Sequence, residues 1–302
     1  MDENYFVEKI KGLIPNNNRI IRGIGDDCAV IKTENPDKYM LFAVDQLISD
    51  VHYDMENTSS FFAGAKLLKR NISDIAAMGG YPAEVVVTVA SSGIDMGYLM
   101  GFYDGLISEA NKWNINICGG DTASIKMIRG KLLVTTLSIT GYVNKNNLCL
   151  RSNAKPEQLL YATGSFGNSY STGHHLSFAP RLNEGMHLAS KYTNAMMDVS
   201  DGLLMDLNRF AKESNLSFFI DTDKILPRTN NISLKNILTD GEDYELIFTV
   251  DESIEKSLHE NWIFSDVPIT KIGYTKNFDG EYVYDIYGKV LSKNYTGYEH
   301  KI

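Results

Sequence analysis

Positive charge is scarce in this 302-residue chain: 29 lysines and arginines face 38 aspartates and glutamates, a formal net charge of −9. Phosphate backbones are gripped by faces rich in Lys and Arg, so the balance argues against a nucleic-acid partner. An acidic protein that handles phosphates has to bring in positive charge, and a divalent cation is the obvious source. Cysteine is scarce too. Cys28, Cys118 and Cys149 are the only three, none in a CxxC spacing, which argues against a disulfide framework or a zinc site and for reduced, cytoplasmic thiols. No apolar run approaches the roughly 20 residues that span a bilayer. Residues 1–14 carry five charges without the apolar centre of a signal peptide.

Familiar catalytic signatures are missing as well. There is no G-x-x-x-x-G-K-[ST] loop, no H-R-D or D-F-G, no H-E-x-x-H and no G-x-S-x-G. Any phosphoryl transfer by this chain therefore rests on metal ions and positioning, which supply most of the catalysis in that reaction anyway.

A chain of this length is expected to form two domains. Helical apolar spacing predicts helices over 4–14, 59–78, 96–113 and 201–214. Short apolar runs predict strands at 39–44, 83–90, 132–143, 159–163, 217–221, 244–250 and 269–273. The stretch RIIRGIGDDCAVIK reads as strand, turn, strand. The polar segment 144–158 is the expected boundary between a first domain (1–150) and a second (151–302). Alternating strands and helices in both halves predict an α/β or α+β class.

The informative pattern is where aspartate falls. Asp26 and Asp27 occupy a glycine-flanked turn, Asp45 follows a strand, and Asp121 follows the Gly119-Gly120 turn. Asp198 and Asp201 flank a helix start, where Asp201 is also a candidate helix cap. Asp74 is harder to place as a surface group, because Ile72, Ile75, Ala76 and Met78 surround it and a buried carboxylate needs a cation or donors. Oxygen ligands offered from turns and strand ends suit Mg²⁺, which keeps waters and substrate phosphates in its shell. The pair His174-His175 invites a metal reading but has no partner motif, and is expected to be structural.

Taken in order, GIGDDCAV (23–30), Asp45 with His52, NISDIAAMGGYPAE (71–84), GGDT (119–122), DVSDGLLMDL (198–207) and GEDYEL (241–246) resemble the thiamine-monophosphate kinase family. That family shares a superfamily with aminoimidazole ribonucleotide synthetase, selenophosphate synthetase and the hydrogenase-maturation dehydratase. GEDYEL and the terminal GYEH (297–300) favour the thiamine-phosphate branch. The resemblance implies a two-domain, PurM-like fold whose N-terminal halves join into an intersubunit β-barrel in a homodimer, with the active site between domains. It implies that Asp27, Asp45, Asp74, Asp121, Asp198 and Asp201 hold several Mg²⁺ ions around ATP. Tyr103, Gly120, Asp121, Arg151 and Ser200 would contact the nucleotide, with Arg151 reaching phosphate oxygens. His52, Glu242 and Tyr298 would contact thiamine monophosphate. The sequence departs from the family pattern where Ala43-Val44 replace a Ser-Thr pair, where Lys69-Arg70 replace small apolar residues, and where GNSYSTGHHL replaces G-D-S-A-A-G-L.

Overall fold

The computed structural model describes residues 3–15, 17–126, 130–291 and 295; Tyr298 and the GYEH segment lie outside them. A short helix, α1 (Glu3–Lys11), precedes a first six-stranded sheet. Its strands are β1 (Ile20–Arg22), β2 (Ala29–Lys32), β3 (Lys38–Ile48), β4 (Tyr81–Ser92), β5 (Asn116–Ser124) and β6 (Leu132–Asn144), in the spatial order β1-β2-β3-β6-β4-β5. Only the β4–β5 pair is parallel. The two-residue side-chain period explains its two faces. Leu41, Ala43 and Leu47 of β3 and Leu133, Leu137 and Ile139 of β6 are buried, while Phe42, Val44 and Val86 are exposed on the opposite side.

Two 18-residue helices, α2 (Ser60–Ala77) and α3 (Met96–Trp113), cover the buried face. They cross so closely that a Cβ on Gly105 would lie 1.8 Å from the Phe61 carbonyl oxygen, and one on Gly64 would lie 1.8 Å from that of Phe102. Backbone cannot yield to such a clash. Gly105→Ala is therefore expected to destabilise the protein by about 1–3 kcal/mol through overpacking, read as a lowered urea midpoint at unchanged slope.

The second sheet follows residues 145–158. It contains β7 (Leu159–Thr163), β8 (Met196–Asp198), β9 (Leu216–Ile220), β10 (Leu246–Val250), β11 (Ile269–Asn277) and β12 (Val283–Asp285), ordered β12-β9-β11-β7-β10-β8. Its helices are α4 (His174–Ser177), α5 (Leu182–Lys191), α6 (Leu203–Ser214), α7 (Leu234–Thr239) and α8 (Glu255–Glu260). Leu203, Leu204, Leu207 and Phe210 of α6 are buried along the face their spacing predicts. A third apolar cluster, including Ala77, Cys149, Leu188 and Ala189, joins the two halves. There α2 meets α5, and a Cβ on Gly185 would lie 2.4 Å from the Ala76 carbonyl oxygen. Helix α2 is thus a wall common to both halves. No helix among the described residues is long and apolar enough to cross a membrane.

Three local expectations are corrected. Asp45 lies inside β3, paired with Leu137, because the ladder with β6 runs on to Ile48. Gly119-Gly120-Asp121 is strand, not turn: parallel pairing with β4 sets Gly120 beside Val87 and Asp121 beside Thr88, overriding the poor strand propensity of glycine. Asp201 makes no cap. Helix α6 starts after Gly202, and the buried Asp206 in its first turn accepts the backbone N–H groups of Ser200 and Asp201, each at 3.0 Å.

Candidate active site

Three carboxylates converge where the halves meet. Asp27 comes from the turn after β1, Asp74 from α2 and Asp198 from the end of β8, and one oxygen of each lies within 4.8 Å of the others. Like charges at that distance repel by about 3 kcal/mol per pair at an effective dielectric of 20. Burial pushes the Asp74 and Asp198 carboxyls well above the usual range, and neighbouring carboxylates push them further, with Asp45 foremost for Asp74 and Asp27 for Asp198. Few donors offset this. Ser73 Oγ donates to Asp198 Oδ2 at 2.7 Å, and Arg151 Nη2 donates to Asp27 Oδ1 at 2.5 Å. The other oxygen of Asp27, Oδ2, is buried with no hydrogen-bond partner. An orphaned acceptor among three close carboxylate groups fits a hard divalent cation such as Mg²⁺, which takes oxygen ligands.

The neighbouring Asp26 has a different task. Its carboxylate is tied to the Arg22 side chain and accepts the Arg151 N–H at 2.8 Å, so it anchors residue 151 to the β1 turn. The Arg151 guanidinium, expected against phosphate, is seated on Asp27 instead.

Beside the trio opens a cleft of about 620 Å³, lined among others by His52, Arg70, Tyr170, Ser200, Asp201 and Glu242. Helix α2 contributes Arg70 to its lining; Lys66, Arg70 and Asp74 recur every four residues and so share one face of that helix. The Lys66 ammonium is buried; it donates to Glu242 Oε2 at 2.5 Å and to the His52 carbonyl at 2.6 Å. Burial lowers its pKa to about 8, although Glu242 pulls the other way. Arg70 Nη2 reaches Asp45 Oδ1 at 3.3 Å. His52 Nδ1 accepts the Ile48 N–H at 3.0 Å, which aims the ring. Asp201 is paired with Arg209 at 2.5 Å.

GEDYEL divides its labour. Glu242 and Tyr244 adopt φ of 65° and 51°, uncommon for residues with side chains, and this turns Glu242 into the cleft. Its N–H donates to the Ser200 carbonyl at 2.7 Å, and the Tyr244 N–H to that of Val199 at 2.8 Å. The Tyr244 ring stacks on Phe178 with centroids 4.0 Å apart. Asp243 and Glu245 are buried structural acids. Asp243 accepts from Arg228 at 2.8 Å and from Ser169 at 2.5 Å, yet burial still raises its carboxyl to about 6. His174-His175 is structural too. His174 Nε2 donates to the Asp243 carbonyl at 2.9 Å and Nδ1 accepts from Arg228 at 2.9 Å, while His175 stacks on Tyr170.

Asp27, Asp74 and Asp198 thus meet, Asp45 is adjacent, and Ser200, Asp201, His52 and Glu242 edge the cleft. Gly120 and Asp121 stand apart from this group, on the exposed edge strand β5, and Tyr103 packs against the first core from α3, the helix leading into that strand. Sequence reasoning missed Lys66, Asp206 and Tyr170. A lysine within an apolar helical stretch, on the same helical face as Arg70 and Asp74, was the available signal for the first.

Residues 25–143 match the family model described as AIR synthase related protein, N-terminal domain. The thiamine-monophosphate kinase of Bacillus subtilis is 31% identical, over 91% of this chain and 92% of its own. The crystal structure of thiamine-monophosphate kinase from Stenotrophomonas maltophilia shares 27% identity at a TM-score of 0.74, covering 96% of this chain and 98% of its own. AaThiL complexed with AMPPCP and TMP superposes at a TM-score of 0.84 and 24% identity, over 99% and 97% of the two chains, a likeness of fold. A convergent carboxylate trio beside a cleft, on a chain alike in sequence along nine-tenths of its length, has one reading: this chain belongs to the thiamine-monophosphate kinase family.

Proposed function

We propose that the chain transfers the γ-phosphoryl group of ATP directly to the phosphate of thiamine monophosphate, giving thiamine diphosphate and ADP, at the carboxylate trio. Kinase activity is the family's; the in-line route, the metal and the residue roles are our reading. The observation that carries it is the meeting of Asp27, Asp74 and Asp198, drawn from both halves, with one oxygen of Asp27 buried and unpartnered. Mg²⁺ held by these three, with Asp45 and Asp201 nearby and Asp121 from a sheet edge, supplies the positive charge that lets two phosphate anions approach. The acceptor is already anionic at neutral pH, so the chain needs no strong base and its task is alignment. Ser200 stands at the cleft mouth with its backbone fixed by Asp206. Glu242, pinned by Lys66, and the exposed ring of Tyr170 offer the cationic thiazolium a carboxylate and an aromatic face. His52 and Tyr298 complete the acceptor side.

Residues 1–150 serve as the metal, nucleotide and dimerisation domain in this reading, and 151–302 close the site. Phe42, Val44 and Val86 lie on the uncovered sheet face, and a second copy closing a barrel over that face covers them. Gly120, Asp121 and Tyr103 then meet the nucleotide and its metal at the subunit junction, where Arg151 reaches phosphate only by exchanging Asp27 for it. Val44→Arg is expected to convert a homodimer to a monomer in light scattering coupled to size exclusion; unchanged mass speaks against the barrel. We place the protein in the cytoplasm, where free thiols such as its exposed Cys118 stay reduced.

Purified protein given ATP, thiamine monophosphate and Mg²⁺ is expected to yield ADP and thiamine diphosphate in equal amounts by chromatography. ADP with free phosphate, or no ADP, overturns the reading.

A further inference from the structure

The cleft is rimmed by acids, yet the acceptor to be held there carries a phosphate. Asp201, Asp240 and Glu242 line it, and Arg70 is the only lysine or arginine doing so among the described residues. Other nearby cations are committed elsewhere: Lys66 to Glu242 and the His52 carbonyl, Arg151 to Asp27, and Arg209 to Asp201 and Asp206. Arg70 is not saturated. A guanidinium has five N–H donors; here Nη1 donates to the Gln46 carbonyl at 2.9 Å, Nη2 makes a long 3.3 Å contact with Asp45, and Nε is buried with no partner. Leaving a buried donor unmade is costly, and an arriving anion relieves that cost. The position is apt as well. Arg70 lies one helical turn from Asp74 on the same face of α2 and lines the cleft.

We propose that Arg70 recognises the phosphate of thiamine monophosphate, turning the Nε–Nη2 edge of its guanidinium from Asp45 toward two phosphate oxygens. This role rests on the kinase reading above and adds a specificity residue to it. The planar fork matches a phosphate in two parallel hydrogen bonds, a geometry that lysine does not reproduce. Discrimination against unphosphorylated thiamine follows, because thiamine leaves the same buried donor unmet. Lysine at this position is expected to keep the charge and only part of the recognition.

Titration calorimetry with Mg²⁺ and AMPPCP present tests it, comparing thiamine monophosphate with thiamine on wild type, Arg70→Met and Arg70→Lys. Arg70→Met keeps the apolar stem, and a thermal midpoint close to wild type shows that it folds. The expected result is a loss of about 10- to 100-fold in affinity for thiamine monophosphate, the worth of a charged hydrogen-bonded contact, with thiamine binding unchanged. Arg70→Lys recovers part of that loss, and KM for ATP stays at its wild-type value. Equal losses for both ligands, or none, overturn the proposal. A wild type that binds no thiamine monophosphate instead sinks the parent reading, so the two failures are distinct.

Discussion

Asp74→Asn is expected to abolish phosphoryl transfer while making the metal-free protein more stable. Asp74, half-buried, lies within 4.8 Å of Asp27 and Asp198, and folding forces three like charges together without enough donors. A neutral isostere removes two of the three repulsions, worth about 3 kcal/mol each at an effective dielectric of 20. In EDTA the variant should therefore melt above wild type. With Mg²⁺ the order reverses, because wild type gains the energy of cation binding and the variant has lost a ligand. The rate should fall by about 100- to 1000-fold or more, the usual cost of removing one electrostatic element of a transition-state site.

The same feature sets a pH dependence. Carboxyls whose folded pKa is raised, as for Asp74 and Asp198, hold protons more tightly when folded than unfolded. Their contribution to stability is full below the unfolded pKa and is lost as pH rises through the folded one. Metal-free wild type should lose stability as pH climbs from acid to neutral. Asp74→Asn should flatten that slope, and Mg²⁺-induced stabilisation should grow with pH as protons leave the ligands. Melting curves with and without Mg²⁺ across that range check all three. A variant that keeps activity, or that melts below wild type in EDTA, refutes the account.

Arg181→Met is expected to cost about 3–5 kcal/mol of stability, as when one partner of a buried pair is removed. Arg181 grips both oxygens of Glu245 at 2.6 Å, and the Glu245 side chain is 1% exposed. Thr163 alone, at 2.7 Å, then has to satisfy the stranded charge. Glu245 directly follows Tyr244 and lies three residues from Glu242, so a loosened strand entry also raises KM for the acceptor. Urea unfolding measures the first effect and steady-state kinetics the second. Adding Glu245→Gln should recover much of the stability, since the uncompensated charge disappears.

Elements with self-contained signals were legible from sequence. Helix α3 spans Met96–Trp113 as its spacing predicts, because local devices end it at both sides: Asp95 accepts the Tyr98 N–H at 2.8 Å, and Asn114 takes a left-handed φ of 55°. Strand β7 also matches its apolar run. Misreadings arose where a distant partner decides. Gly119 to Asp121 look like a turn until β4 lends them a ladder, and Asp45 looks terminal until β6 carries its strand onward. The site divides the same way. Asp27, Asp74 and Asp198 stand out in sequence by their context. Lys66 and Asp206 do not, since a lysine in a helix and an acid in a first turn are ordinary until Glu242 and the Ser200 backbone arrive from elsewhere in the chain.

Helix α2 acts as a ruler with three marks. Lys66, Arg70 and Asp74 stand about 6 Å apart along its axis, at about 1.5 Å per residue, and each mark meets a group from a different part of the chain. Inserting or deleting one residue between the marks swings one of them by about 100° around the axis and points it into packed protein. The interval 66–74 thus tolerates changes of side chain far better than any change of length.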